Sequence, residues 1–182
     1  MSVAIRRARL ADVGGIAAAH VDSIRSIGVR YCEADIVSER AARVEDALYV
    51  DATARGEAFF IASASAGDSA EVPGFSSHRI DDTEHRTAVY VSGTAARLGI
   101  GSALYRAAEA AAIAAGATRI HVDGSLAAVD FYKANGFEEI GRGEHRPRTG
   151  RPMACVFMRK NLAATARSVS SAIRSSLAIS SK

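Results

Sequence analysis

A chain of 182 residues is long enough for one domain with a substantial core and short for two. Its 48% hydrophobic and 24% charged residues are an ordinary globular balance, and a net charge of +3 is too mild to imply a nucleic-acid partner. The two cysteines, Cys32 and Cys155, give neither a disulfide framework nor a zinc-ligand spacing, so no metal is expected.

No apolar run approaches the roughly 20 residues that cross a bilayer, and the first seven residues lack the apolar stretch of a signal peptide. The expectation is a soluble, cytoplasmic protein without a membrane partner. Residues 3–8 alternate Val3 and Ile5 against polar neighbours and read as a strand. Asp12 stands where it can cap a helix, followed by Ile16, Ala19, His20, Ser23, Ile24 and Ile27 at helical spacing. A second helix is expected over 33–47, with Ile36, Ala41 and Val44 apolar and Gly56 closing the region.

The period then changes to that of strands. Residues 58–62, 72–80 and 87–91 read as consecutive antiparallel strands, with turns at 66–69 and 81–84. From Gly99-Ile100-Gly101 an alanine-rich helix begins, its expected apolar face being Leu104, Ala107, Ala108, Ala111 and Ala115, with Gly116 at its end. A strand at 119–122 follows, then a short helix capped by Ser125 and closed by Asn135-Gly136. Strands at 137–141 and 153–158 finish the sheet, joined by a basic loop over 142–151. The last twenty residues, 163–182, form a serine-rich tail in which Val169, Ile173 and Leu177 recur every four residues, a spacing that permits a helix. The fold class is α/β (α+β): a mixed, mostly antiparallel central sheet flanked by helices.

Chemistry concentrates at one strand–turn–helix. The apolar strand ends at Val91, and small residues lead into the helix at Ile100. Backbone N–H groups at a helix start have no internal partners and lie at the positive end of the helix dipole. Small residues let a phosphate approach them, and Arg97 adds positive charge. The turn lacks the Gly-Lys-Ser/Thr of a nucleotide-binding P-loop. It also lacks a third glycine at the spacing used for dinucleotides, where Leu104 stands instead.

The stretch Val91-Ser92-Gly93-Thr94-Ala95-Ala96-Arg97-Leu98-Gly99-Ile100-Gly101-Ser102-Ala103-Leu104 resembles the coenzyme-A motif of the GNAT superfamily of N-acetyltransferases. Downstream, Ser125-Leu126-Ala127-Ala128-Val129-Asp130-Phe131-Tyr132-Lys133-Ala134-Asn135-Gly136-Phe137 resembles that superfamily's second signature. The order and spacing of the motifs and of the elements fit as well, so the resemblance covers residues 3–161 and leaves 162–182 outside.

The resemblance implies acetyl-coenzyme A as co-substrate. Val89, Tyr90 and Val91 would face the pantetheine and acetyl group, and Arg97, Leu98, Gly99, Ile100, Gly101 and Ser102 the pyrophosphate, with Ala127 and Phe131 completing the coenzyme site. Tyr132 would protonate the departing thiolate. Glu84, then His85, are the nearest candidates for a base at the central strand. His20 and Ser23 on the first helix and His145 in the late loop are candidates for contacting the acceptor, an amine of a small molecule or peptide. Direct transfer in a ternary complex is the implied reaction, with a homodimer as one option for assembly. Gly93, Ala96 and Ala127 depart from the usual pattern, in which proline, Gln or Arg, and Asn are common. The last two of these departures support an alternative, a non-catalytic acyl-coenzyme-A sensor or scaffold. A third reading is a regulatory partner protein that docks through its tail.

Overall fold

Strand-forming runs and helical runs alternate through the chain in the order β1 (Ala4–Arg7), α1 (Val13–Gly28), α2 (Ala34–Ala42), α3 (Asp46–Ala54), β2 (Ala58–Ser63), β3 (Gly74–Asp81), β4 (Glu84–Val91), α4 (Ile100–Ala114), β5 (Arg119–Ser125), α5 (Val129–Ala134), β6 (Glu138–His145) and β7 (Met153–Asn161). The computed structural model describes residues 3–29, 31–63, 71–145 and 151–162. The seven strands form one sheet in the order β1-β2-β3-β4-β5-β7-β6. Every neighbouring pair is antiparallel except β4 and β5, which run parallel. The sheet is thus mixed and mostly antiparallel, with helices on both faces.

Period-two alternation sorts the strand residues between those faces. On one side, Phe59, Ile61 and Phe75 pack with Ile16 of α1 and Tyr49 and Ala52 of α3. On the other, Ala62, Val89 and Val91 meet Ile100 and Leu104 of α4, whose carbonyl at Leu104 accepts the buried Ser76 hydroxyl at 2.7 Å. A further cluster joins Tyr105, Ile120, Tyr132, Phe137 and Met158, so α5 is anchored to the far half of the sheet.

Four local expectations change. The helix expected over 33–47 is two helices, because the chain turns at 43–45, where Glu45 is extended at φ −127°. The break lets Val37 and Ala41 pack on Ile24 while Tyr49 and Ala52 face the sheet. Asp12 does not cap α1 with its side chain. Its carboxylate is held by Arg6 at 2.6 and 2.8 Å and by the Arg9 N–H at 2.6 Å. The buried face of α4 is Ile100, Leu104, Tyr105, Ala108 and Ala112, while Ala115 is exposed. Alanine at nearly every turn left the phase of that helix unmarked in the sequence. Finally, β6 extends to His145, so Arg142 and His145 belong to a strand and not to a loop. Arg146, Arg148, the turn at 66–69 and the tail 163–182 lie outside the described residues.

Candidate functional site

β3 registers with β4 along its whole length, from Gly74 opposite Val91 to Asp81 opposite Glu84. On its other edge β4 meets β5 at a single registered pair, Arg86 and His121. Beyond that pair the two strands part, and a cleft of about 1010 Å³ opens between them, lined by Thr87, Ala88, Val89, Tyr90 and Val91 on one side and Asp123, Gly124 and Ser125 on the other. The parting leaves peptide groups on this edge of β4 without a strand partner, which is where a ligand can use them.

Tyr132 of α5 projects into the gap. Its ring lies over Gly124, where a Cβ would come 3.4 Å from the ring. Burial holds the phenol well above its ordinary pKa, and a hydrogen bond with the Val89 backbone opposes that shift only in part. A proton is therefore held at the gap throughout the neutral range.

One mouth of the cleft is the segment between β4 and α4. Arg97 and Gly99 take positive φ angles, 63° and 79°, and reverse the chain so that α4 begins with no side chain capping it. Its first-turn N–H groups thus keep their hydrogen-bonding capacity. Arg97, Gly99, Gly101 and Ser102 line the cleft here. A Cβ on Gly101 would stand 3.1 Å from the Phe131 ring, so glycine permits the close packing of α5 on this turn. Asn135 ties the two together, donating to the Phe131 carbonyl at 2.8 Å and the Ser102 hydroxyl at 3.3 Å. Leu98 points outward, 71% exposed, and Ile100 turns into the core, so neither lines the cleft.

The other half of the cleft lies against α1, α2 and the end of β6. His20 and Ser23 line it, as does His145. Asp123 of β5 accepts from Arg86 on β4 and from His145 Nδ1 at 3.0 Å. The hydrogen bond with His145, then the Arg86 charge, hold the Asp123 carboxyl below its ordinary pKa. With Nδ1 donating to that carboxylate, a neutral His145 keeps its lone pair on Nε2. Cys155 also lines the cleft, and burial raises its thiol, which does not suit it to act as a thiolate nucleophile.

Residues 55–139 match the family model described as Acetyltransferase (GNAT) domain. That stretch is similar to a GNAT acetyltransferase domain. Searched against the curated proteins, the chain has no match. Among solved structures it is similar to a GCN5-related N-acetyltransferase of Rhodopseudomonas palustris, with 24% identity, 89% of this chain and 97% of that chain covered, and a TM-score of 0.75. It is also similar to the PaiA N-acetyltransferase of Thermoplasma acidophilum, solved in complex with coenzyme A (17% identity, 89% and 100% covered, TM-score 0.70). A third is yncA of Salmonella typhimurium, a putative acetyltransferase solved with acetyl-CoA (19% identity, 89% and 95% covered, TM-score 0.65). These likenesses establish the GNAT fold.

Around the cleft, the sequence-expected residues separate into two groups. Val89, Tyr90, Val91, Arg97, Gly99, Gly101, Ser102, Ala127, Phe131 and Tyr132 come together around the cleft with His20, Ser23 and His145. Glu84 and His85 do not join them. Glu84 sits at the hairpin end of β4, exposed and paired with Arg86 at 3.1 Å. His85 is one residue out of phase with Arg86, Ala88 and Tyr90, so its side chain leaves by the opposite face and meets His78 Nε2 at 3.0 Å. Asp123, Arg86 and Arg40 are lining residues that sequence reasoning missed. Asp123 falls between the buried Ile120, Val122 and Gly124 of β5. An acid among those residues was visible, but its partners lie 37 and 22 residues away.

Gly93 explains one departure from the family pattern. Its N–H donates to Asp22 of α1 at 2.7 Å, and a Cβ there would come 2.5 Å from that of Ser26. A proline could neither donate nor fit.

Proposed function

We propose that this protein transfers an acetyl group from acetyl-coenzyme A to an amine, directly, within a ternary complex. The observation that carries the reading is the parting of β4 and β5 with an uncapped helix start at one mouth and a protonated phenol inside. The fit to the coenzyme rests on those same features: Arg97 and the first turn of α4 would hold the pyrophosphate, and the unpaired edge of β4 would hold the pantetheine arm. Bound there, the coenzyme supplies an acetyl group activated as a thioester.

The chain's own groups supply the rest. The free peptide N–H groups of the β4 edge stabilise negative charge as it develops on a carbonyl oxygen. Tyr132 stands ready to give its proton to a departing thiolate, and the raised phenol keeps that proton available. His145, oriented by Asp123, is placed in the acceptor half to take the proton from the incoming ammonium. This replaces Glu84, exposed at the hairpin end of β4, and His85, turned to the opposite face, as the preferred base. The cleft thus holds an acid beside Gly124 and a base beside Asp123, and two substrates can be present together.

Two measurements test the reading. Titration with acetyl-coenzyme A should raise the melting temperature as its concentration passes the dissociation constant. No shift at millimolar ligand would remove the coenzyme assignment. In a thiol-release assay, Tyr132→Phe should lower kcat by about 100-fold while coenzyme affinity stays within a few-fold. Unchanged turnover would remove Tyr132 from the acid role.

A further inference from the structure

The acceptor half of the cleft carries an unbalanced charge. Arg40, Arg79 and Arg86 line it, against one carboxylate among the described lining residues, Asp123. Two of the three arginines are compensated. Arg79 lies 2.8 Å from Asp81 and 4.0 Å from Glu57, and Arg86 pairs with Asp123 and Glu84. The acids on α2, where Arg40 sits, are engaged elsewhere. Arg151 holds Asp35 at 2.6 Å and Glu39 at 2.9 Å, and Arg43 holds Glu39 at 3.1 Å. Among the described residues Arg40 is left without an acidic partner. It stands close enough to His20 and Tyr90 for its charge to act on both.

A second observation comes from His20. Its Nδ1 is 2.6 Å from the Tyr49 hydroxyl, which has no other hydrogen-bond partner among the described residues. A buried phenol gives its proton to an acceptor within reach. Burial keeps the Tyr49 phenol protonated and the His20 ring neutral. Tyr49 is therefore the donor, Nδ1 the acceptor, and the imidazole proton sits on Nε2. That Nε2 is shielded from water and has no hydrogen-bond partner among the described residues. Nδ1 is taken by Tyr49, which does not line the cleft, so Nε2 is the ring nitrogen left for a ligand that reaches His20. A buried donor without an acceptor is costly, and an incoming oxygen relieves that cost.

We propose that the acceptor is an amine carrying a carboxylate or a comparable oxyanion, whose oxygens are received by the Arg40 guanidinium and the Nε2–H of His20. The inference rests on the acetyl-transfer reading and narrows its acceptor. A polyamine or an aminoglycoside brings only positive charge to a surface that already has an unpaired arginine. A zwitterionic amino acid or a short acidic peptide matches both ends: its anion meets Arg40 and His20, and its ammonium is left for His145 and Asp123.

The test compares three acceptors in the thiol-release assay: an α-amino acid, its primary amide and an aliphatic diamine. The acid should have a kcat/KM about 10- to 100-fold above the amide, mainly through KM, and the diamine should be poorest. Arg40→Ala should abolish that preference, and Arg40→Lys should restore part of it, while coenzyme affinity stays unchanged in both. Equal turnover of acid and amide, or preference for the diamine, would overturn the inference. Calorimetry with the N-acetyl amino acid on the coenzyme-A complex gives a readout that needs no turnover. Carboxylate binding that Arg40→Ala weakens at least 10-fold would support the site even if transfer fails. Absence of carboxylate binding, or binding indifferent to Arg40→Ala, would overturn it.

Discussion

At the scale of residues, the proposed acid and base sit in different environments. Tyr132 is buried and keeps its proton. His145 is partly open to solvent, 37% by side chain, and is oriented by a carboxylate that hydrogen bonding keeps ionised. If His145 takes the proton from the amine, His145→Gln should lower kcat by about 100-fold. Asp123→Asn keeps the shape but removes the orienting charge, so it should lower kcat less severely. Steady-state kinetics of both variants check this. Equal kcat for wild type and His145→Gln would assign the proton transfer elsewhere. The place of Tyr132 in the cleft was legible because it belongs to a contiguous motif. Asp123 and His145 were not legible as a pair, because the contact depends on β7 lying between β5 and β6 in the sheet and on how far β6 extends.

At the scale of elements, the segment between β4 and α4 is held from outside as much as by its own sequence. Asp22 of α1 reaches 71 residues along the chain to the Gly93 N–H, and Ser26 fills the space that a side chain at 93 would need. Gly93→Pro, although it restores the common family residue, should therefore destabilise the fold. Loss of one charge-assisted hydrogen bond and a steric clash together correspond to about 2–4 kcal/mol, measured by denaturant unfolding. Asp22→Ala should account for about 1 kcal/mol of this through the hydrogen bond alone. A fully stable Gly93→Pro variant would show that the α1 contact does not constrain the turn. The same dependence on neighbours explains the misread elements. The break between α2 and α3 serves two different packing partners, and the phase of α4 is fixed by the sheet beneath it.

At the scale of the whole molecule, His20 links the cleft to stability. Its ring packs among Tyr49, Phe75 and Tyr90, with Arg40 nearby, and burial first, then that charge, lowers its pKa to about 3. Between about pH 6.5 and that value the unfolded chain binds a proton there and the folded chain does not. Stability accordingly rises with pH across this window and is lost on acidification, by about 1.4 kcal/mol per unit or roughly 5 kcal/mol in all. His20→Gln should flatten the slope of unfolding free energy between pH 6 and 4. An unchanged slope would place the acid sensitivity in other groups. Among the described residues, no helix is long and apolar enough to cross a membrane, and no cluster of His, Cys, Asp and Glu is suited to hold a metal.

Local signals in the chain were enough for the strand and helix order, for the mixed sheet and for the turn from Arg97 to Ser102, because alternation, glycine placement and contiguous motifs act over a few residues. They could not show that β4 and β5 part after one registered pair, since strand separation is a property of two strands and of the tyrosine between them. Nor could they show that Glu84 and His85 stay out of the cleft while Asp123, His145 and Arg40 line it. Which face a side chain takes, and which distant partner compensates its charge, is fixed only when the sheet and helices pack.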